Sequence, residues 1–228
     1  YIFYLMFNSM QSRRPFHSRW LLAGGFAVVS LFALTVLHTA GPVTASLGSF
    51  TDVHESHTNF TAIEFVRIHG IVHGYQDGTF RPDTLITRAE FTKMLVTASQ
   101  QIEQNDICLT SPVDIADYSD VAVYGWYMPY LCIATRAGIV SGYRDGSFKP
   151  AQNIAMSEAA KITVTAFGFP ISMESSGTET LWFMPYMRAL ESINAIPPSI
   201  IYPQQLLKRS ELAEILYRII SENGSLRS

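Results

Sequence analysis

The chain has 228 residues, 48% of them hydrophobic and 15% charged, with a formal net charge of −3. That balance argues against a nucleic-acid binder, which needs a basic face, and supplies enough apolar side chain for one well-buried domain. The two cysteines, Cys108 and Cys132, are not in CxxC or Cys/His spacing, so a zinc site is not expected.

Met10 is a candidate initiator. Arg13, Arg14, His17 and Arg19 follow it, then WLLAGGFAVVSLFALTVLHTA from Trp20 to Ala40, which carries no formal charge with His38 neutral. The first acidic residue is Asp52. A basic flank before an apolar run marks an export signal or a membrane anchor. The run approaches the roughly 20 residues that span a bilayer, while Val43-Thr44-Ala45 offers a cleavage site after Ala45. Residues 1–45 are therefore read as a signal peptide or a retained anchor helix, and both alternatives stand. Either way the basic flank stays inside and the remainder lies outside the cytoplasmic membrane. Without residues 1–45 the chain loses three of 16 Lys+Arg and none of 19 Asp+Glu, leaving 13 − 19 = −6. An anionic ligand must then be held by local Arg or Lys rather than by the overall field.

The rest is organised by repetition. GIVHGYQDGTFRPDTLITRAEF (Gly70 to Phe91) recurs as GIVSGYRDGSFKPAQNIAMSEA (Gly138 to Ala159), a shift of 138 − 70 = 68. Repeats at fixed period indicate units that bury their apolar faces only against one another. In the first unit a helix is expected from Thr58 to His69, with Ile63, Val66 and Phe60 inward and Gly70 ending it. Asp77-Gly78 suits a tight turn. Thr87 and Glu90 form a capping box, and Phe91, Met94, Leu95 and Ala98 give one apolar helix face.

The second unit starts at Tyr118. Its first helix is expected from Trp126 to Ala137, with Pro129 in the first turn, and its second from Ser157 to Phe167, burying Ala159, Ile162 and Ala166. A third, degenerate unit repeats WYMPYLCIA as WFMPYMRAL (Trp182 to Leu190) and TRAEFTKML as KRSELAEIL (Lys208 to Leu216). PPSIIYPQQLL replaces the glycine-rich loop between them. Leu212, Ile215, Leu216 and Ile219 still form an apolar face.

FTDV, an amphipathic helix, GIVHGYQDGTFRP and ITRAEF together resemble an S-layer homology repeat. The resemblance implies a mainly α fold: a pseudo-threefold bundle of three helix-loop-helix repeats, with grooves between its prongs. The organisation it suggests is residues 46–98 as repeat 1, 99–117 as linker and 118–168 as repeat 2. Residues 169–181 form a second linker, 182–221 repeat 3 and 222–228 a tail. It also implies an exported protein of the cell surface, cell wall or S-layer. Its partner would be an acidic secondary cell-wall polysaccharide, often a pyruvylated one, or a peptidoglycan-linked glycan. Membrane contact is expected only if the N-terminal helix is retained.

In this family the Arg of ITRAE is implicated in gripping an acidic sugar. Arg88 and Arg209 hold that position here, and Met156 replaces it in the second repeat. A guanidinium fork can hold a carboxylate through two bonds. The competing reading is that each arginine pairs with a neighbouring carboxylate of the chain. Arg81 and Lys149 occupy equivalent loop positions and are groove candidates, against ordinary surface charge. Trp126 and Trp182 could stack on sugar faces or belong to the core.

Glu90, Glu158 and Glu211 recur in all three units, and Asp52 and Asp120 in two. All are read as caps or turn residues. A disulfide between Cys108 and Cys132 is expected outside the cell, the alternative being two separate thiols, one of them buried in the helix. His54, His57, His69 and His73 have no counterpart in the second repeat, where Ala122, Gly125, Ala137 and Ser141 stand. No metal, cofactor or catalytic constellation is expected, and Glu90 and Asp77 have simpler explanations than wall hydrolysis. The expected function is noncatalytic attachment to wall glycan. The alternative is a structural or protein-interaction module of the envelope whose glycan site has decayed.

Overall fold

The computed structural model describes residues 49–99, 108, 118–122, 124–171 and 181–222. The expected signal or anchor segment 1–45, most of both linkers and the tail beyond 222 lie outside the described residues. Among the described residues, no helix is long and apolar enough to cross a membrane.

Among the described residues six α-helices are delimited: α1 (Phe60–Ile68), α2 (Arg88–Ala98), α3 (Met128–Arg136), α4 (Met156–Phe167), α5 (Met184–Ser192) and α6 (Arg209–Tyr217), the last running into a π-helical turn, Arg218–Glu222. The apolar faces read from the sequence are the buried ones. Phe91, Leu95, Leu212 and Leu216 are fully enclosed, and Ala159, Ile162 and Ala166 lie inside on α4. α1 starts later than expected and α3 starts after Trp126-Tyr127, because a turn precedes each. Pro129 then sits at the start of α3, where a missing N–H costs nothing.

The two helices of a repeat do not pack on each other as a hairpin. α3 packs on α2, α5 on α4 and α1 on α6, so each first helix lies against the second helix of the preceding repeat. The ring closes because the third repeat hands its second helix to the first. A shared bond pattern marks the axis. Ile86 N–H donates to Leu207 C=O, Leu207 N–H to Ile154 C=O and Ile154 N–H to Ile86 C=O, at 2.8, 3.0 and 3.2 Å. All three side chains are fully buried. Three isolated antiparallel bridges, Leu85 with Lys208, Thr87 with Asn153 and Ala155 with Leu206, lie around the same axis.

The first N–H groups of α2, α4 and α6 would otherwise be orphans. Each set is satisfied by the neighbouring repeat's loop. Arg88 and Ala89 donate to Gln152 and Pro150, Met156 and Ser157 to Gln205 and Pro203, and Arg209 and Ser210 to Thr84 and Pro82. α2 also has the expected capping box between Thr87 and Glu90. Ala155 caps α4 without a side-chain bond. At α6, Glu211 accepts from the Lys208 N–H, but the Lys208 ammonium has no lone pair to complete a box.

Loop shape is fixed by acids and glycines. Asp52 accepts from Phe80 N–H and Arg81 N–H, both at 2.7 Å, and Asp120 does the same for Phe148 and Lys149. These bonds hold Arg81 and Lys149 at φ 60° and 59°, a region side chains seldom enter. At Gly74, φ is 74° and a Cβ would meet the Phe50 ring at 2.4 Å; Gly142 stands in the same relation to Tyr118 at 2.5 Å. Asn194, at φ 54°, takes over from Gly70 and Gly138 in the third repeat. The chain therefore leaves α5 as it leaves α1 and α3, although the turn residues differ. Cys108 and Cys132 are disulfide-bonded and both are buried.

Candidate functional site

Two related clefts open at the junctions of the ring. The first, about 150 Å³, is lined by Ile71 to Tyr75 from the first loop, Glu90, Lys93 and Met94 from α2, Arg209 from α6 and Trp126. The second, about 240 Å³, is lined by Ile139 to Tyr143, Glu158, Lys161 and Ile162, with Arg88 from α2 and Trp182. Each cleft therefore draws on all three repeats: loop and lysine from one, arginine from another, tryptophan from the third.

At the first cleft Arg209 Nε donates to Phe80 C=O at 2.8 Å and Nη1 to Glu90 Oε1 at 3.2 Å. The guanidinium lies over the Tyr75 and Phe80 rings, 4.8 and 4.9 Å from their centroids. At the second, Arg88 Nε donates to Phe148 C=O at 2.8 Å and Nη1 approaches Glu158 at 3.5 Å, over Tyr143 and Phe148. Both side chains are over nine-tenths buried. Nε and Nη1 of each fork are thus engaged by the protein. Among the described residues Nη2 of each has no hydrogen-bond partner. Pairing with a chain carboxylate and a place in a cleft wall, posed as alternatives, are both present.

The glutamates do more than cap. Glu90 Oε2 accepts from Thr87, while Oε1 accepts from the Tyr75 hydroxyl at 2.7 Å and from Arg209. Burial pushes the Glu90 carboxyl up. The bonds from Tyr75 and Thr87 and the charge of Arg209 outweigh it, leaving the carboxyl below its usual value. Burial and the bond to Glu90 raise Tyr75. Burial and the bond to Glu158 push Tyr143 up to about 12, so both phenols stay protonated donors.

Trp126 and Trp182 are 54% and 56% exposed. They form cleft walls rather than core. Arg81 and Lys149 are placed elsewhere. Each stacks on the tyrosine of its own loop, Arg81 at 4.0 Å from Tyr75 and Lys149 at 4.2 Å from Tyr143, and neither lines the two clefts. Arg81 is also paired with Asp77 at 2.9 Å. Bonds from Thr79 and Arg81 hold the Asp77 carboxyl down at about 2.

Lys93 and Lys161, which also line the clefts, were not singled out by sequence reasoning. Their signal was recurrence at the repeat shift, three residues after Glu90 and Glu158 on one helix face. Tyr75 and Tyr143 carried the same signal.

Residues 49–92 and 117–160 match the S-layer homology domain model. These segments are S-layer homology repeats. The third unit lies outside the two matched segments and completes the ring. The chain is 34% identical over 119 residues to "Cell surface glycoprotein 1" of Acetivibrio thermocellus, covering 51% of this chain and 5% of that protein. It is 35% identical over 118 residues to "Surface layer protein" of Brevibacillus choshinensis, covering 48% and 10%. It is 32% identical over 117 residues to "Cellulosome-anchoring protein" of Acetivibrio thermocellus, covering 50% and 25%. The chain thus spans 5% to 25% of the length of these three relatives. The S-layer homology repeats and their relatives place it at the cell surface or cell wall.

At the third junction of the ring the arginine, tryptophan and lysine are all changed, while Glu211 keeps the place of Glu90 and Glu158. Met156 stands where Arg88 and Arg209 stand, Thr58 where Trp126 and Trp182 stand, and Glu214 where Lys93 and Lys161 stand. Glu214 is paired with Arg218 at 2.8 Å and accepts from Asn59 at 3.4 Å. Gln205 Nε2 donates to Glu211 Oε1 at 3.1 Å, replacing the arginine that Glu90 and Glu158 have.

Proposed function

We propose that this chain is a noncatalytic module that attaches noncovalently to an acidic cell-wall polysaccharide, with a pyruvylated secondary polymer as the best fit. Attachment would run through the Arg209 and Arg88 clefts. The observation carrying this reading is the repetition of one constellation at two junctions. Arginine, lysine, half-buried tyrosine and exposed tryptophan recur together, and at the third junction the arginine, lysine and tryptophan are all replaced. The free Nη2 and the nearby ammonium can bind a carboxylate, and the indole can cover an apolar sugar face. The anchoring relative, named for the cellulosome, supports attachment as the role.

The test is a pull-down with purified wall, using Lys93→Glu together with Lys161→Glu. These lysines are not buried, so the fold survives, and each takes the residue found at the third junction. Binding is expected to be lost, and to be lost equally when the polymer's carboxylates are removed. Undiminished binding by the double variant would reject the reading.

A second reading has one observation behind it. Ile201 and Tyr202, at the altered third loop, are 79% and 52% exposed. This favours a protein contact at that junction, and capture of a partner by wall-free protein would support it.

A further inference from the structure

The third repeat carries a pocket of about 170 Å³ that shares no residue with either cleft. Met184, Met187 and Glu191 of α5 line it with Ile196, Ile200 and Pro203 of the third loop. Between first helix and loop, the other two repeats hold a pair of rings: Phe50 against Phe80 at 5.2 Å, and Tyr118 against Phe148 at 5.5 Å. The Tyr118 ring reaches α3, where its hydroxyl lies 3.2 Å from Thr135 Oγ1. The third repeat has neither ring. Pro203 corresponds to Pro82 and Pro150, since each accepts from the start of a second helix. Ile201 therefore stands where Phe80 and Phe148 are buried, yet it is 79% exposed, at the pocket's edge. Its N–H donates to Gln205 Oε1 at 3.2 Å, whereas those of Phe80 and Phe148 donate to Asp52 and Asp120. The third loop thus closes on itself, not on a preceding aspartate, and Ile201 is left outside. Residues 172–180, SMESSGTET, precede α5 as FTDV and YSDV precede α1 and α3, and contain no aromatic residue.

We propose that this pocket is a docking slot for a tyrosine side chain presented by a partner protein. This rests on the protein-contact reading above and names the side chain that contact takes. The two filled repeats supply the template. Glu191 stands where Thr135 meets the Tyr118 hydroxyl. Its side chain is exposed and has no hydrogen bond or ion pair among the described residues. A phenol entering as the Tyr118 ring does would donate to that carboxylate, a bond strengthened by the charge. The same carboxylate repels an acidic glycan or an anionic lipid surface. Met184 and Met187 are unbranched and polarizable, so they adapt to a ring and make favourable sulfur–aromatic contacts. Exposed Ile201 and Tyr202 flank the entrance and would cover the segment that carries the tyrosine.

The probe is acetyl-Gly-Tyr-Gly-amide, with phenylalanine and leucine versions, titrated into the whole chain and read at the Met184 and Met187 methyl resonances. The tyrosine peptide is expected to shift both methyls and to bind about fivefold tighter than the phenylalanine peptide, the margin one hydrogen bond supplies. The leucine peptide should bind more weakly still. Glu191→Val should bring the tyrosine peptide down to the affinity of the phenylalanine peptide. Met184→Phe places in α5 the residue that α1 carries as Phe60. It should fill the slot and weaken the tyrosine peptide about tenfold without lowering the melting temperature. Equal affinities for the three peptides, or a tyrosine preference that survives Glu191→Val, would overturn the slot. So would methyls that answer to no peptide. In that case a methyl shift on Met173→Ala would assign the pocket to this chain's own residues, and a shift on dilution would assign it to a second copy. After any such failure, partner capture that is lost on Ile201→Ser with Tyr202→Ser would leave the broader protein-contact reading standing. Capture that persists in that double variant would end both.

Discussion

The first two junctions and the third share a backbone and differ in chemistry. All three have the second-helix start bonded to a neighbouring loop, and Ile86, Ile154 and Leu207 meet at one axis. Two junctions place an arginine under a tyrosine and beside a lysine, with a tryptophan opposite. The third holds methionine, glutamate and threonine. Scaffold and site are therefore separable. Backbone bonds and apolar layers close the ring, while the cleft side chains can be exchanged as a set without opening it.

The largest expected effect comes from giving an intact junction the third junction's residue. Arg209→Met removes the partner of Glu90 and of the Phe80 carbonyl, both in a largely buried setting. Thermal unfolding should show a loss of about 3 kcal/mol, and binding at the first cleft should vanish while the second persists. If both clefts fail together, they are not independent sites.

Reducing the Cys108–Cys132 bond should cost a similar amount, about 3 kcal/mol in the chain-entropy model, read by chemical denaturation with and without reductant. Cys132 is on α3, which follows Trp126, so reduction should weaken the first cleft more than the second.

The loops come next. Gly74→Ala and Gly142→Ala drive a Cβ into an aromatic ring as well as into a left-handed backbone. Each should cost about 2 kcal/mol or more by thermal melting. Gly70→Ala, also left-handed but with nothing within 4 Å, should cost only about 1 kcal/mol. Equal losses would show that backbone conformation, not the close approach, decides.

The smallest effect is in pH. The Glu90 carboxyl lies below its unfolded value of 4.5. Its contribution is fully present above pH 4.5 and is lost as pH falls through the lower folded value. Glu90→Gln should flatten that acid limb, and an unchanged limb would remove the carboxylate from the account.

Much of this was legible beforehand. The repeat shift set which positions correspond, and helical spacing set the buried faces of α2, α4 and α6. The loss of arginine at Met156 and the loss of the glycine-rich loop in the third repeat read, along the chain, as defects in two different repeats. In space they meet at one junction, because each second helix starts against the next repeat's loop. Two intact clefts therefore remain. Arg81 and Lys149 show the reverse. Recurrence made them site candidates, but left-handed φ angles turn them onto their own tyrosines and away from the cleft walls.

The sequence by itself determined the units, their helices and the residue types available to a site, since these follow from local periodicity and repetition. Only the tertiary structure decided which repeat's arginine serves which repeat's loop, and that the helices pair across repeats. Those facts depend on closure of the ring: the last repeat's second helix must return to the first repeat's first helix, a long-range contact that no local pattern encodes.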